Sequence, residues 1–316
     1  MVNKALKIVA TGSFLPPKVM TNFDLEKLVE TNDEWIVTRT GIKERRICEE
    51  ETTTDMTIAA ARKALEAALK VDSNFSFDKI GAILVGTSSA DYRLPSTACL
   101  VQKELGIPEN CLCYDLTAAC SGFVYGIHTA VGLLNTFDFE YALVVGCDKL
   151  SKITDWTDRS TCILFADGSG AAVVKLTDSD TPYIGKCYSR GDNETLVCKE
   201  NGFINMEGQA VYRFATKVVS NTLEELLSES GLTIEDVDHV VLHQANARII
   251  DHVIKKYKGF EDKFYMNIEK YGNTSAGSIP VALDEMNQKG LLKPGDKIMC
   301  VGFGGGLTWG GMLITA

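Results

Sequence analysis

Ten cysteines and four histidines are the residues of this 316-residue chain best suited to nucleophilic and acid–base chemistry. Cys120 has the most suggestive surroundings of the ten. It stands in Asp115-Leu-Thr-Ala-Ala-Cys-Ser-Gly-Phe-Val-Tyr-Gly126. An apolar run over residues 111–116 precedes it, and Phe123, Ile127, Val131 and Leu134 follow at helical spacing. The pattern predicts a strand, a tight turn, the thiol, and a helix that starts near Cys120. Free N–H groups and the positive dipole end of such a helix favour a thiolate over a thiol. Gly122 and Gly126 carry no Cβ, so another backbone can pack closely here. The competing reading is a small cysteine buried in a core helix. Partners elsewhere in the chain must decide.

Among the histidines, His243 ends an apolar strand, the position where α/β folds place their chemistry. Gln244 and Asn246 follow it, ahead of a helix. His128 lies inside the helix begun by Cys120, while His239 and His252 sit among polar residues and read as surface. Asn273, in Tyr271-Gly-Asn-Thr-Ser-Ala-Gly-Ser-Ile-Pro280, precedes a helical run and is either a turn or cap residue or a fixed amide donor. Gly302-Phe-Gly-Gly-Gly-Leu-Thr-Trp-Gly-Gly311 lacks the Lys and the spacing of a phosphate loop. Its glycines could turn a backbone N–H toward a developing oxyanion. Trp35 and Arg39 share one segment, either a nucleotide platform or a capped helix with a half-buried Trp.

The elements that must position these residues follow from periodicity. Strands are expected over 4–14, 80–87, 141–146 and 171–176, the last after a turn at 167–170. Helices are expected over 22–30, 54–68 and 96–105. The second part repeats the order, with helices at 212–227 and 247–256 and strands at 237–242, 297–301 and 312–316. This predicts an internal duplication with halves 1–176 and 177–316, and an α/β fold with helices on both sheet faces.

Composition narrows the function classes. The net charge of −10 argues against a nucleic-acid binder. No run approaches the ~18 apolar residues of a membrane span, and the first residues do not read as a signal peptide. The scattered cysteines therefore read as reduced thiols in the cytoplasm. Cys111-x-Cys113 has no second pair, so no metal is expected.

Taken together, Thr117-Ala-Ala-Cys120-Ser-Gly-Phe, His243-Gln-Ala-Asn-Ala-Arg, Tyr271-Gly-Asn273-Thr-Ser-Ala-Gly-Ser and Gly302-Phe-Gly-Gly-Gly-Leu-Thr-Trp-Gly resemble the motif set of β-ketoacyl-acyl carrier protein synthase III. Asp33-Glu-Trp-Ile-Val-Thr-Arg-Thr-Gly-Ile42 and Asp158-Arg159 fit the same family, and the resemblance runs along essentially the whole chain. It implies a thiolase-like fold, two duplicated halves in a five-layered αβαβα body, usually a homodimer. It implies initiation of type II fatty acid synthesis, with an acyl-coenzyme A primer (acetyl, or a longer or branched one) and malonyl-acyl carrier protein as substrates and no cofactor. By motif position, Cys120 is the nucleophile and His243 and Asn273 the donors to an enolate oxygen. Cys120 and Gly306 form the oxyanion hole, with Phe303 near the thiol. Trp35, Arg39, Arg159, Thr31, Met206, Gly208 and Asn246 are implied for coenzyme A. Arg213, Gln244 and Arg248, extended by Lys255 and Lys256, are implied for the carrier protein, although each lysine reads equally as a solvated charge. Leu94 takes the place of an aromatic residue on the loop that enters the partner subunit's acyl pocket, which suggests tolerance of longer or branched primers.

Three rivals remain open at this point. The same apparatus could prime a polyketide or another specialised product. A cysteine–histidine hydrolase would need a base to activate water, and Asn273 suits donation better. A non-catalytic scaffold would have no need of the Cys, His and Asn set.

Overall fold

The structure, a computed structural model, describes residues 4–137 and 139–316. Among the described residues, ten strands form the main sheet. The first five are β1 (Ala5–Phe14), β2 (Ile80–Gly86), β3 (Leu112–Leu116), β4 (Tyr141–Lys149) and β5 (Asp167–Thr177). The second five are β6 (Ile184–Ser189), β7 (His239–Leu242), β8 (Phe264–Tyr265), β9 (Lys297–Gly304) and β10 (Thr308–Thr315). The spatial orders are β3-β2-β4-β5-β1 and β8-β7-β9-β10-β6, so the two sets share one topology. Their pairings match as well. In each, the first two pairs are parallel and the last two antiparallel. A parallel contact at Lys7–Thr315 joins them into one ten-stranded sheet.

Among the described residues, seven helices of eight residues or more cover the strands. They are α1 (Asp33–Thr40), α2 (Thr53–Val71), α3 (Thr97–Leu105), α4 (Gly122–Thr136), α5 (Gly208–Ser230), α6 (Ala247–Ile254) and α7 (Ser278–Gln288). Alternation along the strands assigns them to layers. Ala82, Leu84, Ala142 and Val144 meet Phe123 and Ile127 of α4 and Leu283 of α7, which also meet Ile298 and Cys300 of β9. Their neighbours Ile83, Val85, Leu143 and Val145 face Ala60, Ala64 and Leu65 of α2 and Val101 of α3. On the far side Val240, Leu242 and Met299 face Val219 and Leu223 of α5 and Ile250 of α6. The result is five layers: α2 and α3, the first strands, α4 and α7, the second strands, α5 and α6.

Glycine sets how tightly the central helices approach. A Cβ on Gly86 would lie 2.5 Å from the Gly122 carbonyl carbon, and one on Gly146 would lie 2.0 Å from the Ala276 oxygen. The starts of α4 and α7 therefore sit directly on the ends of β2 and β4.

Two local expectations fail for identifiable reasons. The helix expected over 22–30 stops after Asn22–Leu25, and the Glu26 carboxylate instead accepts the Asp33 N–H at 2.9 Å, turning the chain toward α1. The turn expected at 167–170 is the start of β5. Its glycines serve packing, since a Cβ on Gly170 would lie 2.5 Å from the Val281 nitrogen of α7.

Candidate active site

Cys120 does not open α4 directly. It sits in a single 3-10 turn, Ala119–Ser121, just before it. Ala119 has φ +46, a left-handed backbone that is unfavourable for a residue with a Cβ. Such strain persists only where surrounding packing imposes it, and it is concentrated at functional sites. Here the turn is clamped from the second set of strands. A Cβ on Gly304 would lie 2.6 Å from the Cys120 nitrogen, and Thr308 Oγ1 donates to the Ala118 carbonyl at 3.0 Å.

The thiol opens onto a cavity of about 680 Å³, which His243, Asn273, Phe303 and Gly304 also line. The expected depression of the thiol does not appear. Burial pushes Cys120 up to about 12, while a hydrogen bond from Ser275 Oγ at 3.2 Å opposes the rise. Removal from water disfavours the thiolate, whereas the helix end, whose effect fades beyond the first turn, favours it.

His243 follows β7, and its N–H donates to the Val301 carbonyl at 2.9 Å. The side chain is 2 % exposed, and burial alone lowers its pKa to about 3. The imidazole is therefore neutral, with one N–H to donate. The Phe303 ring packs edge-on against it at 5.2 Å between centroids. Asn273 is held by its backbone, which bonds to Leu164 and Ala166 at 3.0 and 2.9 Å. Its Oδ1 accepts the Ser275 N–H at 2.9 Å, which leaves the NH₂ group as the free end of the amide. Neutral His243 and anchored Asn273 thus form a pair of uncharged donors beside a thiol.

The same cavity reaches Trp35, Arg39, Arg159, Met206, Gly208 and Asn246. The guanidinium carbons of Arg39 and Arg159 lie 4.6 and 4.7 Å from the Trp35 ring centroid. Arg159 is also tied to the Glu30 carbonyl at 2.9 Å. Asn246 caps α6 by accepting the Arg248 N–H, and its NH₂ donates to the Arg39 carbonyl at 3.1 Å. Exposed Arg213 and Arg248 stand at the rim.

Several expected residues lie elsewhere. Gly306 is exposed, does not line the cavity, and uses its carbonyl to accept the Asp192 N–H at 2.8 Å. The glycine brought onto Cys120 is Gly304. Gln244 is 1 % exposed and consumed by the fold: its NH₂ donates to Leu242 and Tyr265 carbonyls, and its oxygen accepts the Asn267 N–H. A satisfied core amide cannot meet a docking protein. Thr31 is set back from the cavity, with its hydroxyl buried and unpaired. Leu94 is 86 % exposed and away from this chain's own cavity. Lys255 is exposed, and Lys256 pairs with Glu224 at 3.0 Å.

Three residues escaped the sequence reading: Ser275, Ser278 and Asp148. Both serines stand inside the motif around Asn273, and Asp148 ends a strand, so their positions carried a signal that their residue types did not. No group of three or more His, Cys, Asp or Glu among the described residues is arranged to hold a metal. No described helix is long and apolar enough to cross a membrane.

Comparison with known proteins agrees with this geometry. Residues 114–191 match the family model of 3-oxoacyl-[acyl-carrier-protein] synthase III, and residues 227–316 match the model of its C-terminal part. The β-ketoacyl-[acyl-carrier-protein] synthase III of Clostridium acetobutylicum is 45% identical, with 98% of each chain covered. That of Clostridium tetani is 44% identical, with 99% of each covered. The crystal structure of the Aquifex aeolicus synthase III superposes with a TM-score of 0.92 at 44% identity, covering 98% of this chain and 100% of that one. Similarity of this extent over a site of this composition has one consequence: the chain belongs to the β-ketoacyl-acyl carrier protein synthase III family, acyltransferases of the thiolase fold.

Proposed function

We propose that the chain catalyses the initiating condensation of type II fatty acid synthesis through an acyl-Cys120 intermediate. An acyl-coenzyme A primer and malonyl-acyl carrier protein give 3-oxoacyl-acyl carrier protein, coenzyme A and CO₂. The observation that carries this reading is the placement of two neutral donors, His243 and Asn273, in one cavity with the Cys120 thiol.

The steps follow from the groups present. Exchange of the primer from one thioester to another is nearly isoenergetic, and it needs a nucleophilic sulfur. Loss of CO₂ from the malonyl group puts charge on the thioester oxygen, where His243 Nε2–H and the Asn273 NH₂ group donate to it. Donors that carry no charge lower this barrier without trapping the enolate as an ion pair. Attack of the enolate carbon on the acyl group forms an oxyanion. Its donors are the Cys120 N–H and an N–H of the Gly304–Gly305 step, in place of Gly306. Each such donor is typically worth about 3 kcal/mol of barrier. Activation resides in the thioesters, so no cofactor takes part.

Trp35, Arg39 and Arg159 receive the nucleotide of coenzyme A, and Met206, Gly208 and Asn246 line the way to the thiol. Arg213 and Arg248 receive the acidic carrier protein, with Lys255 further along the same segment. The working unit is a homodimer in the cytoplasm, in which exposed Leu94 closes the acyl pocket of the neighbouring subunit. Turnover of acetyl-, isobutyryl- and hexanoyl-coenzyme A tests the role of Leu94, and strict acetyl preference would remove it. Priming of a polyketide is the second reading. The priming ketosynthase of the R1128 polyketide pathway superposes with a TM-score of 0.89, covering 99% of this chain and 97% of that one, but at only 32% identity. The reading is therefore not favoured.

Mass spectrometry after mixing with acetyl-coenzyme A tests the proposal. A 42-Da adduct (~42 for any acetyl group) on the peptide carrying Cys120, absent in Cys120→Ala, is expected. Acetylation elsewhere, or none, would refute it.

A further inference from the structure

One hydroxyl touches the nucleophile and has no task in the chemistry assigned above. Ser275 Oγ donates to Cys120 Sγ at 3.2 Å. Ser275 is buried in a single 3-10 turn, Ser275–Gly277, immediately before α7. The turn is wedged against the first set of strands. A Cβ on Gly146 would lie 2.0 Å from the Ala276 oxygen, and one on Gly277 would lie 2.7 Å from the Gly168 oxygen. Packing thus fixes the hydroxyl against a sulfur 155 positions away in the chain.

The backbone is strained to hold it there. Ser275 has φ +53, a left-handed conformation that is unfavourable for a residue with a Cβ. With Ala119 at φ +46, two such residues flank Cys120. Glycine would relieve the strain but carries no hydroxyl. The Ser275 N–H is already engaged with Asn273 Oδ1 at 2.9 Å. One residue therefore orients the Asn273 amide through its backbone and reaches the sulfur through its side chain.

We propose that Ser275 is a further catalytic residue, whose hydroxyl donates to the Cys120 sulfur and stabilises it as a thiolate, both when it attacks the primer and when it departs after condensation. This rests on the acyl-Cys120 reading above. A thiolate removed from water needs a counter-charge or a hydrogen-bond donor. The charged groups around it do not supply the first. His243 on the β7 side is neutral. Arg39 and Arg159 are stacked at Trp35, and Arg213 and Arg248 stand at the rim. Lys149 at the end of β4 is turned to the Glu51 carbonyl. Asp148, beside it, opposes ionisation of the thiol. Cys147 is pushed up to about 12 by burial and stays protonated. Phe303 and Gly304 of β9 carry no charge. A neutral donor remains, and the Ser275 hydroxyl is the side chain that makes the contact. Asp148 does not divert it: Oδ1 accepts from the Thr87 and Ser89 hydroxyls and the Ser88 N–H, and Oδ2 has no hydrogen-bond partner.

Cys120 gives its proton to solvent through the open cavity, and the sulfur accepts the Ser275 hydrogen bond. As the carbon–sulfur bond to Cys120 forms, the bond to coenzyme A breaks, and coenzyme A leaves as a thiolate that takes a proton from solvent. The acylated sulfur is a weak acceptor, so the hydrogen bond counts for little at this stage. After the enolate carbon has attacked, the carbon–sulfur bond to Cys120 breaks, and its electron pair stays on the sulfur, where the hydroxyl meets it again. The resting thiol then recovers its proton from solvent, so the cycle consumes one proton, which ends on coenzyme A. Ser275 keeps its own proton throughout. Its hydrogen bond is stronger to a charged sulfur than to a neutral one, which is the condition for accelerating both steps.

The test is the pH profile of Cys120 alkylation by iodoacetamide in the full-length protein, followed on the Cys120 peptide by mass spectrometry. Ser275→Ala removes the hydroxyl and keeps the Cβ, so the backbone strain is unchanged. Its profile should be displaced to higher pH by about one unit or more, the usual worth of a hydrogen bond to a charged group. At pH 8 that is about tenfold less thiolate. The more basic sulfur is a better nucleophile and recovers part of this, so the rate should fall about threefold or more. Ser275→Gly also lacks the hydroxyl but relieves the positive φ, and it should be displaced in step with Ser275→Ala. A wild-type profile in either variant would overturn the proposal. Decarboxylation of malonyl-acyl carrier protein in the Cys120→Ala background reads the His243 and Asn273 donors without the sulfur. Adding Ser275→Ala there should change the rate less than about twofold. A loss as large as that in alkylation would mean that Ser275 only shapes the Asn273 turn, and it too would overturn the proposal. Acetylation of wild-type Cys120 by acetyl-coenzyme A, run alongside, separates failure of this inference from failure of the functional reading.

Discussion

The Ser278 hydroxyl lies 2.6 Å from Nδ1 of His243. The same oxygen accepts the Gln244 N–H at 3.3 Å, and a hydroxyl hydrogen directed at Nδ1 would place the imidazole proton on Nε2. In that arrangement a serine at the start of α7 would select the donor that the decarboxylation needs. Ser278→Ala should lower malonyl-carrier-protein decarboxylation about tenfold, the loss of one hydrogen bond's worth of tautomer control. Single-turnover acetylation of Cys120 should change less than about threefold in the same variant. Equal loss in both half-reactions would mean that Ser278 only supports packing.

Asn273 gives a sharper separation. Its oxygen is pinned by the Ser275 N–H, so Asn273→Asp keeps the size and replaces the donor by an acceptor. Decarboxylation should fall by about 10²–10³, the loss typical of one oxyanion donor, while acetylation persists. Release of ¹⁴CO₂ and mass labelling of Cys120 measure the two.

The Trp35 ring has two guanidinium groups over it, at 4.6 and 4.7 Å. Arg159 is also tied to the Glu30 carbonyl, so a purine stacked on the ring competes with a guanidinium that is already held there. Trp35→Ala should raise KM for the acyl-coenzyme A about tenfold, in line with loss of one stacked aromatic contact, with kcat nearly unchanged. Initial-rate kinetics at saturating malonyl-carrier protein decide this. A fall in kcat instead would place Trp35 in the support of the site.

Arg213 and Arg248 are exposed cations on a chain of net charge −10. Charge reversal of either should raise KM for the carrier protein and leave that for the primer unchanged. The effect should shrink above about 0.5 M salt, where exposed charges are screened. Kinetics at two salt concentrations check it.

His243 links the site to stability. Its pKa is about 3 in the fold, against about 6.5 in an unfolded chain. As pH falls below about 6.5 the unfolded chain binds a proton that the native site refuses, so native stability is intact above that pH and declines below it. The loss reaches roughly 3 kcal/mol by pH 4.5. His128, pushed to about 4 by burial, acts in the same direction. Urea melts at pH 7 and 4.5 should show a smaller pH dependence in His243→Gln than in the wild type. An equal dependence would place the acid sensitivity elsewhere.

The amino-acid sequence by itself determined the residue types of the site and the elements beneath them. Apolar periodicity located the strands before Cys120 and His243. The dense glycines marked where backbones must approach, and the repeated order of strands and helices was legible without contacts. These are local properties, written within a few residues of each position. Tertiary structure decided what depends on chains meeting across long separations. Ser275 reaches Cys120 over 155 positions and Ser278 reaches His243 over 35. Gly304 rather than Gly306 lies on the nucleophile, because β9 continues to Gly304 before the chain turns. Gln244, adjacent in sequence to a site residue, is turned into the core by three hydrogen bonds. The state of the Cys120 thiol belongs to the same class. A helix start predicts a lowered pKa, but desolvation is a property of everything packed around the sulfur, and only the folded chain sets it.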